Sequence, residues 1–311
     1  MDVSHLFFFA LSFFIVLKAA DYAIKYASRL ARILKFSDFI ISFFIVAIVS
    51  AAPETVISIL SHIKGRTDIA VTALIGSDVI DLSFVFGIVA LFANGIKIES
   101  PLMKKDAFYL FLLALPLFLG IDGVITRWEG AVLLVCGLVF LLTLSIDKGV
   151  FKKKVHSEDY GKIAKNVFLL AVSLFVMIYA ADLTIGSLSI FASDIGLSDL
   201  FITLVIIGTG TCLPELLFTI ESVRGQHKDL ALGNILGVVI IDATIIFGIL
   251  ALIHPVVVNV TFLRVLLFFN ALGACVLFFF IKTKAVLNKV EAFMLLAFYA
   301  AFIAVMFLLQ S

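Results

Sequence analysis

Ser50-Ala51-Ala52-Pro53-Glu54 and Thr211-Cys212-Leu213-Pro214-Glu215 are the two stretches of sequence that decide the fold. Pro53 and Pro214 are 161 positions apart, and the same offset aligns the two halves of the chain without a gap. It pairs Asp21 with Asp182, Asp81 with Asp242, and Phe86-Gly87 with Phe247-Gly248. Each half therefore carries a Glu and, 27 positions later, an Asp inside apolar sequence. Charge in hydrocarbon usually marks a function, and a duplicated chain with matching broken segments is typical of secondary transporters.

The composition indicates an integral membrane protein. Of the 311 residues, 63% are hydrophobic and 14% are charged, whereas a soluble domain is about 45–50% apolar and about 25% charged. The lipid bilayer is therefore the expected partner. The net charge of +1 gives no indication of nucleic-acid binding. The three cysteines are widely spaced in apolar segments, so they predict neither a disulfide framework nor a metal site.

Ten apolar segments separated by short charged loops predict ten membrane-spanning helices. Each is near the ~20 residues that a helix needs to cross the hydrocarbon, and no alternation typical of a β-barrel is present. The predicted spans are 5–28, 39–62, 69–94, 107–122, 129–146, 166–193, 200–223, 230–253, 261–281 and 288–309. The first repeat covers 1–146, a cytoplasmic linker 147–165, and the second repeat 166–311.

The distribution of Lys and Arg predicts the orientation. With the N-terminus outside, 17 basic residues lie on the cytoplasmic side and 4 (Lys64, Arg66, Arg127 and Arg264) lie outside, in accord with the positive-inside rule. Both termini are then non-cytoplasmic. Because each repeat has five spans, the second repeat is inverted relative to the first. We expect a multi-pass protein of a prokaryotic plasma membrane, and no oligomer is indicated.

The Pro-Glu segments predict a cation site. A proline within a span removes a backbone donor, so we expect carbonyl groups around positions 47–50 and 208–211 to lose their helical partners. Ser50 and Thr211 add a hydroxyl three residues before each proline, and a glutamate follows it. Carboxylate, hydroxyl and carbonyl oxygens suit Ca²⁺, Na⁺ or another hard cation.

The next span of each half adds polar groups. Ser77 and Asp81 are four residues apart and share one helical face. In the second half Asn234 and Asp242 lie on a similar face. Asp78 has no counterpart, because Val239 occupies the equivalent position; a structural role and a functional one are equally compatible with the sequence there.

The paired motifs resemble the α-repeats of the Ca²⁺:cation antiporter superfamily, in particular its Na⁺/Ca²⁺ exchanger branch. The resemblance rests on Gly210-Thr211-Cys212-Leu213-Pro214-Glu215, Gly233-Asn234-Ile235-Leu236-Gly237 and their first-half partners. It implies that Glu54 and Glu215 are the central Ca²⁺ ligands. It adds Ser50, Thr211 and carbonyls near Ala47 and Gly208, with Asp81 and Asp242 beside them in the same cluster, and Ser77 as the hydroxyl that survives in the first half.

Departures from the family pattern bear on the coupling ion. Ala51, Cys212 and Val238 stand where the family places hydroxyls that help form flanking Na⁺ sites, and Asp81 stands where an amide is common. Four carboxylates close together in a low dielectric cannot all stay ionised once a divalent ion leaves. The sequence thus predicts Ca²⁺ exchange against H⁺ or Na⁺, with H⁺ slightly favoured. K⁺-dependent, Na⁺-coupled exchange stays open.

Two other function classes fit the sequence less well. A cation channel would need successive weak sites and usually oligomeric symmetry, which fits less well than one site built from two pseudo-symmetric halves. An intramembrane aspartyl protease would need a Gly-x-Gly-Asp context, which neither Asp81 nor Asp242 has. We therefore predict an antiporter that works by alternating access, and neither an enzyme nor a cofactor-binding protein.

Overall fold

The computed structural model describes residues 3–33, 47–93, 96–97, 106–148, 160–224, 228–284 and 286–309. These residues are almost entirely helical, as predicted. The α-helices are α1 Val3–Ile33, α2 Ala47–Ser50, α3 Ala52–Ile63, α4 Thr67–Ile80, α5 Phe86–Phe92, α6 Asp106–Leu119, α7 Arg127–Lys148, α8 Tyr160–Ile195, α9 Asp199–Ile202, α10 Thr209–Thr211, α11 Leu213–Arg224, α12 Lys228–Ile240, α13 Phe247–Ile253, α14 Val260–Lys284 and α15 Lys289–Leu309.

Seven helical stretches among these residues are long and apolar enough to cross a membrane. They are His5–Leu30, Thr67–Phe92, Tyr160–Asp194, Asp199–Ile220, Asn234–Ile253, Val260–Phe280 and Lys289–Leu309. Phe108–Leu119 is apolar but shorter. The chain is a multi-pass helical membrane protein. The full set of ten crossings and their inverted orientation remain predictions.

Three predicted segments lie partly outside the described residues: the start of the span at 39–62, residue 94 at the end of the span at 69–94, and residues 149–159 of the linker. Where the linker is described, its end differs from the prediction. Helix α8 begins at Tyr160, so Lys162 and Lys165 are helical rather than part of a loop. Both side chains occupy the first turns of a long helix, which the charge pattern alone could not separate from a loop.

Both Pro-Glu segments interrupt a helix, as the sequence predicted. Helix α2 ends at Ser50 and α3 begins at Ala52, while α10 ends at Thr211 and α11 begins at Leu213. Ala51 and Cys212, the residues at the two breaks, are 161 positions apart. Each proline then sits in the first turn of the following helix, where its missing N–H costs no hydrogen bond.

Three π-helical turns widen the helices around the breaks. They cover Asp81–Val85, Thr203–Gly208 and Ile241–Ile246. The first and third occupy equivalent positions in the two halves, and each carries an aspartate, Asp81 or Asp242. Single π turns inside α-helices are frequent at functional sites, and this local geometry was not predicted from the sequence.

The buried apolar residues form two clusters. The larger joins α4, α6 and α7 of the first half to α12, α13 and α14 of the second. The smaller lies between α1 and α8, where Phe9 stacks on Phe191 with ring centroids 4.9 Å apart. These two long helices pack along each other and contact the larger bundle mainly through residues such as Ile57 and Ile69.

Two short antiparallel strand pairs join segments that connect the helices. β1 (Ile96–Lys97) pairs antiparallel with β4 (Val286–Leu287), and β2 (Val124–Ile125) pairs with β3 (Val256–Val257). The offset of 161 places Ile96 on Val257 and Val286 on Ile125. Each half therefore lends one strand to each pair, so the duplication is visible in backbone pairing as well as in sequence.

Candidate cation site

The two glutamates of the Pro-Glu motifs are completely buried. Glu54 lies in the first turn of α3 and Glu215 in the first turn of α11. Both side chains have no exposed surface, and none of their four carboxylate oxygens has a hydrogen-bond partner among the described residues. A helix N-terminus favours a nearby negative charge, but it does not replace the ligands of a buried carboxylate.

The two aspartates of the π turns share this environment. Asp81 begins the first turn and Asp242 is the second residue of its counterpart. Both are fully buried, and their carboxylate oxygens also have no hydrogen-bond partner within the described part of the chain. Four acidic side chains that the sequence singled out are thus buried, and the side-chain donors beside them are the Cys212 thiol near Asp81 and the Ser50 hydroxyl near Glu215.

Electrostatic contacts show that these four groups converge from both halves of the chain. Glu54 has Asp242 and Asp81 as carboxylate neighbours. Glu215 interacts with Glu54 and then with Asp81. Because every one of these contacts brings like charges together, the arrangement needs cations or protons to be stable.

The predicted hydroxyl ligands sit next to the breaks. The Ser50 hydroxyl donates to the Ala47 carbonyl at 3.2 Å, and Thr211 donates to the Gly208 carbonyl at 3.1 Å. Ser77 donates to the Leu74 carbonyl at 2.7 Å. All three are buried, and each hydroxyl oxygen keeps lone pairs that a cation can use.

The prediction that carbonyl groups around positions 47–50 and 208–211 lose their helical partners is wrong for Ala47 and Gly208. The Ala51 amide donates to the Ala47 carbonyl at 3.0 Å, and the Cys212 amide donates to the Gly208 carbonyl at 3.2 Å. The physical reason is register. Proline removes the donor that would bond to the carbonyl of Val49 or Gly210, and these two residues lie within the predicted ranges, two positions after Ala47 and Gly208.

Direct contacts join the two halves at this point. Ser50 lies 3.3 Å from the Oδ1 atom of Asn234, and the Cys212 thiol donates weakly to the Ser77 carbonyl at 3.7 Å. Ser50 has one hydroxyl proton, so it serves either Ala47 or Asn234 at one time. The helix break of the first half therefore contacts α12 of the second half, and the break of the second half contacts α4 of the first.

The acidic groups do not form a ready-made metal cage. Among the described residues, no three Asp, Glu, His or Cys side chains lie close enough together to hold a metal ion as they stand. Ca²⁺ takes six to eight oxygen ligands. A complete shell here needs hydroxyl or carbonyl oxygens, or inward movement of the carboxylates. The donor set is entirely oxygen, which fits a hard cation.

Comparison with known proteins places the chain in a family. The sequence profile described as "Sodium/calcium exchanger protein" matches residues 4–146 and 165–308. The chain belongs to this family. The family consists of transporters, so the protein is not an enzyme. The two matched blocks also coincide with the two halves defined by the duplication.

Individual relatives agree with this assignment. The chain is 32% identical over 252 residues to CaxA of Alkalimonas amylolytica, covering 78% of each protein. It is 24% identical over 338 residues to the sodium/calcium exchanger MaX1 of Methanosarcina acetivorans, covering 94% of this chain and 95% of that protein. Its fold is similar to that of the sodium-calcium exchanger NCX_Mj from crystals soaked with Na⁺ and Sr²⁺. That match has a TM-score of 0.72 at 23% identity and covers 98% of this chain and 99% of the other.

Two residues around the site gain significance only from the structure. Asn234 carries the family's Gly-Asn motif, but its contact with Ser50 depends on how the two halves pack. Asp78 is buried next to the cluster with both oxygens unpartnered. Its spacing of three residues from Asp81 placed it on the same helical face, and that was the one signal available in the sequence.

Proposed function

We propose that the protein is a secondary antiporter that exchanges Ca²⁺, or a similar divalent cation, for a monovalent cation by alternating access. The observation that carries the proposal is the pair Glu54 and Glu215. Both are buried without hydrogen-bond partners, both follow a helix break at equivalent positions, and each interacts with carboxylates across the halves. A divalent cation between them would neutralise two of the converging charges.

Membership of the exchanger family and the name of MaX1 support Ca²⁺ as the divalent ion. The ligand shell we propose comprises Glu54, Glu215, Asp81 and Asp242 with hydroxyls from Ser50, Thr211 and Ser77 and carbonyl oxygens at Ala47 and Gly208. Each of the two carbonyl groups accepts local hydrogen bonds. Binding a cation there would require the Ser50 and Thr211 hydroxyls to turn away.

The arrangement of helices supports a moving part and a fixed part. The α1–α8 pair forms its own apolar cluster beside the bundle that holds the site. Movement of such a pair would open the site to one side of the membrane at a time. We propose ten crossings in two inverted repeats with both termini outside. Equivalent breaks, π turns and strand pairs in the two halves support this duplication.

Orientation is tested by labelling single cysteines in intact cells, after Cys136, Cys212 and Cys275 are replaced. A cysteine at position 152 should be protected from a membrane-impermeant reagent, and one at position 311 should be labelled. The reverse pattern would mean that the protein is inserted the other way round.

For the coupling ion, the replacement of family hydroxyls by Ala51, Cys212 and Val238 favours H⁺ over Na⁺. All three side chains are buried, and none of them offers an oxygen ligand.

The experiment is ⁴⁵Ca²⁺ uptake into proteoliposomes under an outward gradient of H⁺, Na⁺ or K⁺, imposed singly. We expect saturable uptake that depends on a counter-ion and is largest with H⁺. Large uptake with no gradient and no saturation would indicate a channel instead. Uptake driven equally well by Na⁺ at all pH values would remove the argument from the missing hydroxyls.

A further inference from the structure

An ion pair joins the α1–α8 pair to the rest of the molecule. Lys64 lies in the short loop between α3 and α4, and its Nζ atom is 2.6 Å from the Oδ1 atom of Asp182 on α8. The helices on the two sides of this loop supply Ile57 and Ile69, which pack in the apolar cluster of α1 and α8. The ion pair therefore crosses the boundary between the proposed moving part and the bundle that holds the site.

The duplication supplies the acid of this contact twice and the cation once. The offset of 161 pairs Asp182 with Asp21, and it pairs Lys64 with Gly225. Asp21 bonds instead to Lys18 at 3.0 Å, three residues earlier on the same helix. A contact within α1 moves with α1, so it does not hold this helix against the bundle. The ion pair across the boundary is thus a feature of one repeat, and the shared backbone does not account for it.

Other contacts join α1 and α8 to each other. The Nδ1 atom of His5 on α1 lies 2.9 Å from the Oδ2 atom of Asp194 on α8. Phe9 stacks on Phe191 between the same two helices. None of these four residues belongs to the bundle, so these contacts persist when the pair moves as one unit. The contact of Lys64 with Asp182 breaks in such a movement, because its two residues lie on opposite sides of the boundary.

A groove beside the ion pair leaves apolar packing incomplete there. It has a volume of about 560 Å³ and is lined by Lys64 and Asp182 together with apolar residues of α1 such as Leu11. A second groove of about 350 Å³ contains Val172, the equivalent of Leu11 in the other half. The two grooves are thus related by the duplication. The first has an ion pair to the bundle along its wall, whereas Lys18 lines the second and contacts its own helix.

We propose that Lys64 and Asp182 form a one-sided latch, which holds the α1–α8 pair against the bundle while the cation site is buried and opens once in each exchange cycle. All four carboxylates of the proposed site are fully buried in this conformation, so a Ca²⁺ ion reaches them only after the helices shift. An ion pair between partly exposed side chains is weak enough to break in every cycle. This role rests on the proposed function, because it assumes exchange by alternating access.

The test is a reversible cross-link in the full-length protein, after Cys136, Cys212 and Cys275 are replaced. Lys64→Cys and Asp182→Cys are combined, and a short bifunctional methanethiosulfonate reagent joins the two thiols. Because a conformational step limits many transport and catalytic cycles, we expect the cross-link to lower counter-ion-driven ⁴⁵Ca²⁺ uptake into proteoliposomes on the order of tenfold. Dithiothreitol cleaves the cross-link and should restore the uptake.

The matched control uses the same reagent within the moving pair. His5→Cys and Asp194→Cys place thiols on α1 and α8 at another ion pair of similar length. This cross-link should leave the uptake within about twofold of the value before cross-linking, because both helices move together.

A second measurement tests whether the contact acts through charge. Lys64→Gln and Asp182→Asn should each raise the rate of uptake about threefold, which is the scale of a partly exposed ion pair. The exchanged pair Lys64→Asp with Asp182→Lys should return the rate towards that of the unmodified protein. Lys18→Gln breaks the ion pair within α1 at the equivalent acid, and it should leave the rate unchanged.

Several outcomes would overturn the latch. One is undiminished uptake after mass spectrometry has shown that positions 64 and 182 are cross-linked. Another is an equal loss of uptake when positions 5 and 194 are cross-linked, since the block would then not depend on the boundary. Unchanged rates in both Lys64→Gln and Asp182→Asn would also contradict it. Absence of counter-ion-driven uptake by the unmodified protein would instead refute the proposed function.

Discussion

The two halves of the molecule share a backbone and differ in chemistry. Both have a helix break at the residue before X-Pro-Glu, and both have a π turn that carries the aspartate 27 positions after the glutamate. The side chains one turn earlier are different: Ser77 and Asp78 in the first half, and Val238 and Val239 in the second. The backbone that the two halves share positions one Glu-Asp pair from each half. Because Ser77 and Asp78 are replaced by valines in the second half, the oxygen atoms at these positions come from the first half alone.

The strongest test of the shared frame is a matched pair of substitutions. Glu54→Gln and Glu215→Gln should each weaken Ca²⁺ binding about 100-fold, or ~2.8 kcal/mol, and lower Ca²⁺ transport at limiting Ca²⁺, because each removes a full charge from one shared site. Proteoliposome ⁴⁵Ca²⁺ flux measures the effect. Asp21→Asn is the control, since this acid is partly exposed and pairs with Lys18. A tenfold or larger difference between the two glutamate variants would break the equivalence of the halves.

The pH dependence of the Ca²⁺ affinity compares the contributions of Asp81 and Asp242. As the pH falls, protons compete with Ca²⁺ for the carboxylates, so the Ca²⁺ affinity should weaken. Asp81→Asn and Asp242→Asn should each reduce the slope of log Kd against pH by up to about one, because one fewer proton is displaced per Ca²⁺ bound. Calorimetric titration at several pH values measures both slopes. A Ca²⁺ affinity that does not change with pH in the unmodified protein would contradict this account.

Restoring the missing hydroxyls should add one oxygen ligand to the first half and two to the second. The combined variant Ala51→Ser, Cys212→Ser and Val238→Ser adds three possible oxygen ligands near Ser50, Thr211 and Asn234. We expect Na⁺-driven Ca²⁺ uptake to rise about threefold, since added ligands build the monovalent sites that select hard cations. Uptake driven by H⁺ serves as the internal reference. An unchanged ratio of the two fluxes would show that the lost hydroxyls do not set the coupling ion.

The smallest effect concerns the α1–α8 pair. The Thr184 hydroxyl lies 3.1 Å from the Ser12 hydroxyl and 2.8 Å from the Ala180 carbonyl, and its one proton serves one of these acceptors at a time. The offset of 161 pairs Ser12 with Ser173 and Thr184 with Ala23. Because Ala23 has no hydroxyl, the second copy of this contact lacks the hydrogen bond. Thr184→Val should cost about 1 kcal/mol and lower the thermal midpoint by about 2–4 °C, as measured by fluorescence unfolding in detergent. Ser173→Ala should have a smaller effect, and a larger one would reverse this ranking.

The duplication made much of the frame predictable from the sequence. The helix breaks followed from Pro53 and Pro214, whose missing donor has the same consequence in any helix. The burial of the four acids followed from their place in apolar segments. The π turns did not follow, since one extra residue in a turn depends on tertiary packing. The contact of Ser50 with Asn234 also depends on how the two halves pack against each other, for which the sequence of one chain offers no pattern.

The central claim is that both halves build one cation site. Equilibrium ⁴⁵Ca²⁺ binding to the purified protein tests it directly, through the number of ions bound per chain in the unmodified protein, Glu54→Gln and Glu215→Gln. The account predicts one Ca²⁺ per chain, lost in either variant. Two Ca²⁺ per chain, with each variant losing one of them, would mean that each half holds its own ion and would contradict the account.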